Sequence, residues 1–252
     1  MFFKRKRTHE GESIDSLRII DDKTPFAIRE SFKSLYVNMI YLPIEDKCKK
    51  IAITSAMPGE GKTNTAINLA ITTAQNSDDR KVLLIDMDMR KSTISLLLDK
   101  YLSDGDNKAV GLSEYLTGIT EEANIIQTKE PSLYVLFAGK ECVDPAGLIL
   151  SKKFQNFLIE CEKKFDFILI DTPPMTVVSD AALLADKVHG YFISTRADYS
   201  TTSALSTTVN ALNNVGAKIY GIVYTDENMK KGKGYGKYGR YSSYSSYSTE
   251  NN

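Results

Sequence analysis

The sequence predicts an α/β protein with a doubly wound, mostly parallel sheet. Three observations carry this. Apolar runs alternate with amphipathic stretches along most of the 252 residues, the rhythm of strand–helix–strand units. Several runs are unbroken Val, Ile, Leu and Phe, as strands buried on both faces require. Aspartates close two of the runs, at the strand ends where open α/β sheets bind ligands.

A helix pattern over 25–40 precedes the first strand, 50–55. That strand leads into Ser55-Ala-Met-Pro-Gly59-Glu-Gly61-Lys62-Thr63 and a second helix over 62–75. Strand, glycine loop and helix in this order make a phosphate-binding loop. Gly59 and Gly61 let backbone N–H groups turn inward around phosphate oxygens. The helix N-terminus adds its positive dipole end. Lys62 reaches the β- and γ-phosphates, and the Thr63 hydroxyl is a ligand for Mg²⁺. Candidate ATP contacts are therefore Met57, Pro58, Gly59, Glu60, Gly61, Lys62, Thr63 and Asn64. Ala56 stands where the GxxxxGK[ST] pattern has its first glycine.

The second strand, 81–86, runs into Asp86-Met-Asp88-Met-Arg90, and 103–108 reads as a polar loop. A strand at 133–137 and a helix at 151–163 follow. The strand at 165–171 ends in Asp171-Thr-Pro-Pro174. A helix at 179–185, a strand at 190–195, a helix at 202–215 and a strand at 219–224 complete the pattern. Carboxylates suit Mg²⁺, which keeps several waters and seldom takes a full protein cage. Thr63, Asp88 and Asp171 are the candidate metal residues. Asp86 and Asp88 are expected to face differently and to do different jobs. A carboxylate beside the γ-phosphate can orient or deprotonate an attacking hydroxyl, so Lys62, Asp86 and Asp88 are the catalytic candidates.

Composition excludes other classes. The formal net charge is zero, 32 Lys and Arg against 32 Asp and Glu, which gives no global attraction to nucleic acid. Cys48, Cys142 and Cys161 are an odd, scattered set, neither a disulfide framework nor a metal-site spacing. His9 and His189 belong to no Cys/His or Glu/His cluster. No apolar stretch approaches the ~18 residues that span a bilayer. The basic start Lys4-Arg5-Lys6-Arg7 has no apolar region behind it and is not expected to be a signal peptide. Residues 1–24 read as a basic leader, able to contact anionic lipid or a membrane partner.

Together the loop and the two aspartate motifs resemble the Walker A, A′ and B set of bacterial tyrosine kinases. The match is to the free-standing cytoplasmic kinases of Gram-positive capsule and exopolysaccharide systems, and it extends over nearly the whole chain. Gly111-Leu-Ser-Glu-Tyr-Leu-Thr-Gly118, Ala138-Gly139, Asp144-Pro145-Ala-Gly-Leu148 and Asp180-Ala-Ala are similar to further family segments. The resemblance implies a P-loop NTPase fold of the MinD/ParA-like type over 25–227. It implies ATP as phosphoryl donor with Mg²⁺, and Asp86 as the favoured base. It also implies a transmembrane adaptor as activator, cytoplasmic protein substrates, a tyrosine phosphatase, and a site of action at the inner face of the membrane. The family's self-association motif, ExxRxxR, is matched only by Glu30 and Lys33, with Tyr36 at the last arginine. Lys cannot copy a bidentate Arg contact, so a family-like ring is in question.

After Thr225 the composition changes. Residues 228–252 contain no Leu, Ile, Val or Phe and are expected to be disordered. Five of the chain's 14 tyrosines lie there at a spacing of three: Tyr235, Tyr238, Tyr241, Tyr244 and Tyr247. They are candidate acceptors for autophosphorylation, since ~25 flexible residues reach roughly 25–30 Å, enough for transfer to a neighbouring subunit. Two other functions compete. MinD/ParA-type ATPases place a lysine early in the loop, where this chain has Met57. A nucleotide-gated regulatory subunit would bind ATP without useful turnover.

Overall fold

The computed structural model describes residues 19–103, 105 and 110–225. Most of the basic leader and the whole 228–252 tail, with its five tyrosines, lie outside the described residues. Only positions 103 and 105 of the expected 103–108 loop fall within them.

In chain order the elements are α1 (Phe26–Ile40), β1 (Lys49–Ser55), α2 (Lys62–Asn76), β2 (Val82–Asp86), α3 (Ile94–Leu97), α4 (Leu112–Thr117), β3 (Ile126–Gln127), β4 (Leu133–Leu136), α5 (Pro145–Leu150), α6 (Lys152–Glu162), β5 (Phe167–Asp171), β6 (Gly190–Arg196), α7 (Thr202–Asn214) and β7 (Ile219–Thr225). The sheet order is β3-β4-β2-β5-β1-β6-β7. Every pairing is parallel except β3 with β4. The doubly wound, mostly parallel architecture is therefore the one the apolar runs predict.

Alternation along each strand divides the core into two layers. Ile51, Ile53, Val82, Leu84, Phe167 and Leu169 face α1, α2 and α3. Ala52, Leu83, Ile85, Ile168 and Ile170 face α4, α5, α6 and α7. All of β2 and β5 is buried, because helices cover both faces. Each large apolar side chain so buried contributes about 1.5–3 kcal/mol. α2 is the central helix, with an unbroken buried run from Thr65 to Ala74. α1 lies against it through Tyr36 and Met39, and the Tyr36 hydroxyl donates to the Asn76 carbonyl at 2.7 Å.

The structure departs from the sequence reading at several points. The helix expected over 179–185 is a single tight turn, Ala182–Leu184. Its backbone bonds span three residues, as in Leu183 N–H to Asp180 and Leu184 N–H to Ala181. Tyr191 takes the Ala181 carbonyl and Arg90 holds Asp180, so the turn is tied from outside itself. β3 and the short helices α3, α4 and α5 were not anticipated. No helix among the described residues is long and apolar enough to cross a membrane.

Candidate functional site

β1, β2 and β5 end side by side, with Asp86 directly opposite Asp171 in the β2–β5 register. The loop after β1 turns into α2 through Gly59 and Gly61, at φ of 79° and 83°. A Cβ at Gly61 would also stand 3.1 Å from Thr225 Cγ2, a crowded contact added to the strain of the positive φ. Ala56 is buried and has no positive φ. Glycine's freedom is not needed at the one position where the loop departs from the pattern.

Lys62 opens α2 and turns its ammonium into the acidic strand ends. It lies 3.2 Å from Asp88 Oδ2, 3.6 Å from Asp171 Oδ2 and 3.1 Å from the Thr63 hydroxyl. Burial works to lower the Lys62 pKa. The charges of Asp171, Asp88 and Asp86 outweigh it and hold the ammonium above its ordinary value. Thr63 donates to Asp171 Oδ2 at 2.7 Å. The other Asp171 oxygen, Oδ1, is buried without a hydrogen-bond partner among the described residues, although buried polar atoms are nearly always paired. Burial raises the Asp171 pKa, with Lys62 opposing. No group of three His, Cys, Asp or Glu among the described residues makes a protein-only metal cage. Of the three candidate metal residues, Thr63 and Asp171 touch each other and Asp88 lies against Lys62; their oxygens are of the kind that would hold Mg²⁺ together with phosphate and water.

Strand alternation cannot decide how Asp86 and Asp88 face. Strand positions two apart share a face, but β2 ends at Asp86, after which the chain turns. Asp86 Oδ1 accepts from Asp88 N–H at 3.1 Å, and Asp86 Oδ2 from the Ser92 hydroxyl at 2.5 Å. Asp88 meets Lys62 directly, whereas Asp86 acts on it only through its charge. Their environments do differ: Asp88 pairs with the ammonium, whereas Asp86 is fully buried. Burial first, and the charge of Asp171 second, push its pKa up to about 7.

Among the other expected contacts, Met57 N–H donates to Glu60 Oε2 at 2.7 Å. Asn64 points along α2 to Asn68. Glu30 and Lys33 pair with each other at 3.2 Å. They line a cleft of about 270 Å³ with Phe26 and Arg29, separate from the acidic strand ends. Tyr36 is buried beneath them, so the last position of that motif is a core contact. Sequence reasoning missed the bidentate Arg90–Asp180 pair, at 3.0 and 3.3 Å, which ties the loop after β2 to the segment after β5. It also missed Ser92. Arg90 closes the quoted aspartate motif, so the position was visible without its partner. Cys48 and Cys161 are buried free thiols, and burial pushes both up to about 12.

The family model described as an AAA domain matches residues 48–221. The "Putative tyrosine-protein kinase CapB" of Staphylococcus aureus is 32% identical over 217 residues, 86% of this chain and 92% of that protein. The kinase domain of the Escherichia coli tyrosine kinase ETK superposes with a TM-score of 0.75 at 27% identity, covering 92% of this chain and 89% of that one. The Pyrococcus furiosus cell division ATPase MinD is a more distant likeness, with a TM-score of 0.56 at 27% identity over 70% of this chain and 71% of its own. A P-loop, two converging aspartate motifs and these likenesses agree: the chain belongs to the bacterial tyrosine-protein kinases, in the group formed by kinases of Gram-positive bacteria and built on an AAA domain.

Proposed function

We propose that the chain is an ATP-dependent protein tyrosine kinase, and that its acceptors include its own Tyr235, Tyr238, Tyr241, Tyr244 and Tyr247, reached in trans. The observation that carries this reading is the convergence of Lys62, Thr63, Asp86, Asp88 and Asp171 at the N-terminus of α2. In the reaction the tyrosine oxygen bonds to the γ-phosphorus. The bond from that phosphorus to the β–γ bridging oxygen breaks, and ADP leaves. Lys62 and the loop N–H groups hold the β- and γ-phosphates throughout. Asp86, at about 7, takes the tyrosine proton, since a base poised near ambient pH is the efficient one. Thr63, Asp88 and Asp171 would hold Mg²⁺, which would supply neutralisation of the phosphate charge.

The same reading gives the chain a transmembrane adaptor as activator, self-association, cytoplasmic protein substrates and a tyrosine phosphatase as antagonist. It acts in the cytoplasm at the inner face of the membrane, in control of capsule or exopolysaccharide synthesis or export. Five phosphates at about −1.5 to −2 each would reverse the charge of a tail carrying Lys230, Lys231, Lys233, Lys237 and Arg240. The test is incubation with labelled ATP and Mg²⁺, followed by mapping of phosphotyrosine, with Lys62→Met as control. Label on the tail that disappears in the control is the expected result. Free phosphate without labelled protein would identify a MinD-like ATPase instead, and bound ATP without either product a regulatory subunit.

A further inference from the structure

Every carbonyl of the phosphate loop from Ser55 to Gly61 has its own donor. Ser55 and Ala56 accept from the backbone of Met175 and Thr176, and Gly61 from Thr65 within α2. Met57 accepts from the Ser55 hydroxyl at 2.9 Å. The remaining three are taken by side chains from one side of the loop, at the ends of β6 and β7. The Tyr199 hydroxyl donates to Pro58 O at 2.9 Å, Arg196 Nη1 to Gly59 O at 3.2 Å, and the Thr225 hydroxyl to Glu60 O at 3.1 Å. The Ser200 hydroxyl donates to Glu60 Oε1, while Glu60 Oε2 holds Met57 N–H. Glu60 is thus a buried carboxylate joining the front of the loop to the β6–α7 turn.

That turn is itself tightly built. The Arg196 guanidinium stacks on the Tyr199 ring at 5.2 Å. Ser200 N–H and Arg196 N–H close it through Arg196 O and Ser200 Oγ. Asp198 sits at φ 55°, a conformation non-glycine residues adopt only when their surroundings impose it. A loop binds phosphate through its N–H groups. Holding consecutive carbonyls on the outside leaves the loop N–H groups beyond that of Met57, which Glu60 holds, to face inward.

We propose that Tyr199, Ser200 and Thr225 are positioning residues that preset the phosphate loop for the nucleotide, with Glu60 as their buried anchor. The inference rests on the nucleotide reading above. The clamp touches the loop's back and none of the acidic trio, so it acts on nucleotide affinity rather than on the transfer step. Preorganised binders lose affinity when the ordering cost is shifted to the binding event.

The experiment uses the full chain with Tyr199→Phe, Thr225→Val, the double variant, and Thr225→Ser, which keeps the hydroxyl. MgATP and adenosine affinities are measured by calorimetry, tail phosphorylation gives KM and kcat for ATP, and thermal melts monitor the fold. The double variant is expected to lose MgATP affinity about thirtyfold, from two hydrogen bonds of roughly 1 kcal/mol each at about 1.36 kcal/mol per tenfold. The loss should appear in KM rather than kcat, leave adenosine unaffected, and be absent in Thr225→Ser. Unchanged MgATP affinity in the double variant, or a fall in kcat at constant KM, overturns the proposal. A parallel loss of melting temperature and of both affinities reduces the clamp to general stability and also overturns it. Wild-type protein that fails to bind MgATP overturns the nucleotide reading itself, a result distinct from the other three.

Discussion

Replacing Asp86 by Asn separates a stability effect from a catalytic one. The Asp86 carboxyl is raised from 3.8 to about 7 by burial and by Asp171. That shift is about three units, or roughly 4 kcal/mol of preference for the protonated form at 1.36 kcal/mol per unit. The folded pKa lies above the unfolded one. The stability Asp86 contributes is therefore fully present below pH ~4 and is lost as pH rises through about 7. Asn cannot titrate. Urea unfolding of both proteins between pH 5 and 8 should find wild type losing roughly 3 kcal/mol relative to Asp86→Asn over that interval. Asp171 is raised as well, but it is common to both proteins and largely cancels in the difference. In the same range the wild-type transfer rate should climb to a plateau above pH ~7, as the base becomes ionised, while Asp86→Asn transfers almost nothing. A stability difference constant to within about 1 kcal/mol from pH 5 to 8 would refute the placement of a strained, partly protonated carboxyl at the end of β2.

Other substitutions test other parts of the molecule. Asp171→Asn leaves Lys62 in place but weakens the carboxylate opposite Thr63. MgATP affinity should fall to that measured in EDTA, and a retained Mg²⁺ effect would exclude Asp171 from the metal. Tyr36→Arg completes the ExxR spacing toward its last position but buries a guanidinium and removes the bond to Asn76 O. Denaturant unfolding should register a loss of about 2–4 kcal/mol, and a neutral outcome would place Tyr36 outside the core. Asp180→Asn removes the charge opposite Arg90. It should lower kcat about tenfold or more through misplacement of Asp88, so unchanged turnover would leave the pair a surface contact only. A five-fold Tyr→Phe tail should keep its assembly mass on incubation with MgATP while the wild-type assembly loosens. Equal masses under all conditions would remove charge repulsion from the account.

The strands were readable because helices cover both sheet faces, so whole runs such as 82–86 and 167–171 had to be apolar. The phosphate loop and the three aspartates were readable for a related reason. Strand-to-loop junctions put chemistry at fixed offsets from an apolar run. β3, at two residues, and α3, at four, are too short to show a period. The 179–185 stretch has helical composition but is held by Arg90, 90 residues away from Asp180, and by Tyr191, which takes the Ala181 carbonyl. The clamp on the phosphate loop was illegible for the same cause. Its donors to Pro58, Gly59 and Glu60 stand 137 to 165 residues away along the chain. Nothing in local spacing marks Tyr199 or Thr225 as neighbours of Gly61.

The seating of Thr225 against Gly61 and Glu60 has a practical consequence for deletion variants. Thr225 is the last residue of β7, and its hydroxyl lies 3.1 Å from the Glu60 carbonyl. A chain cut directly after it would end in an α-carboxylate at the edge of the phosphate loop. The new anion would be drawn to the same N–H groups and helix terminus that receive a triphosphate. Such a truncation would remove the five proposed acceptors and install a competitor for nucleotide in one step. Weak nucleotide binding in that variant would then report the new terminus rather than the missing tyrosines. Cutting at 228 or later, or amidating the end, keeps the two effects apart.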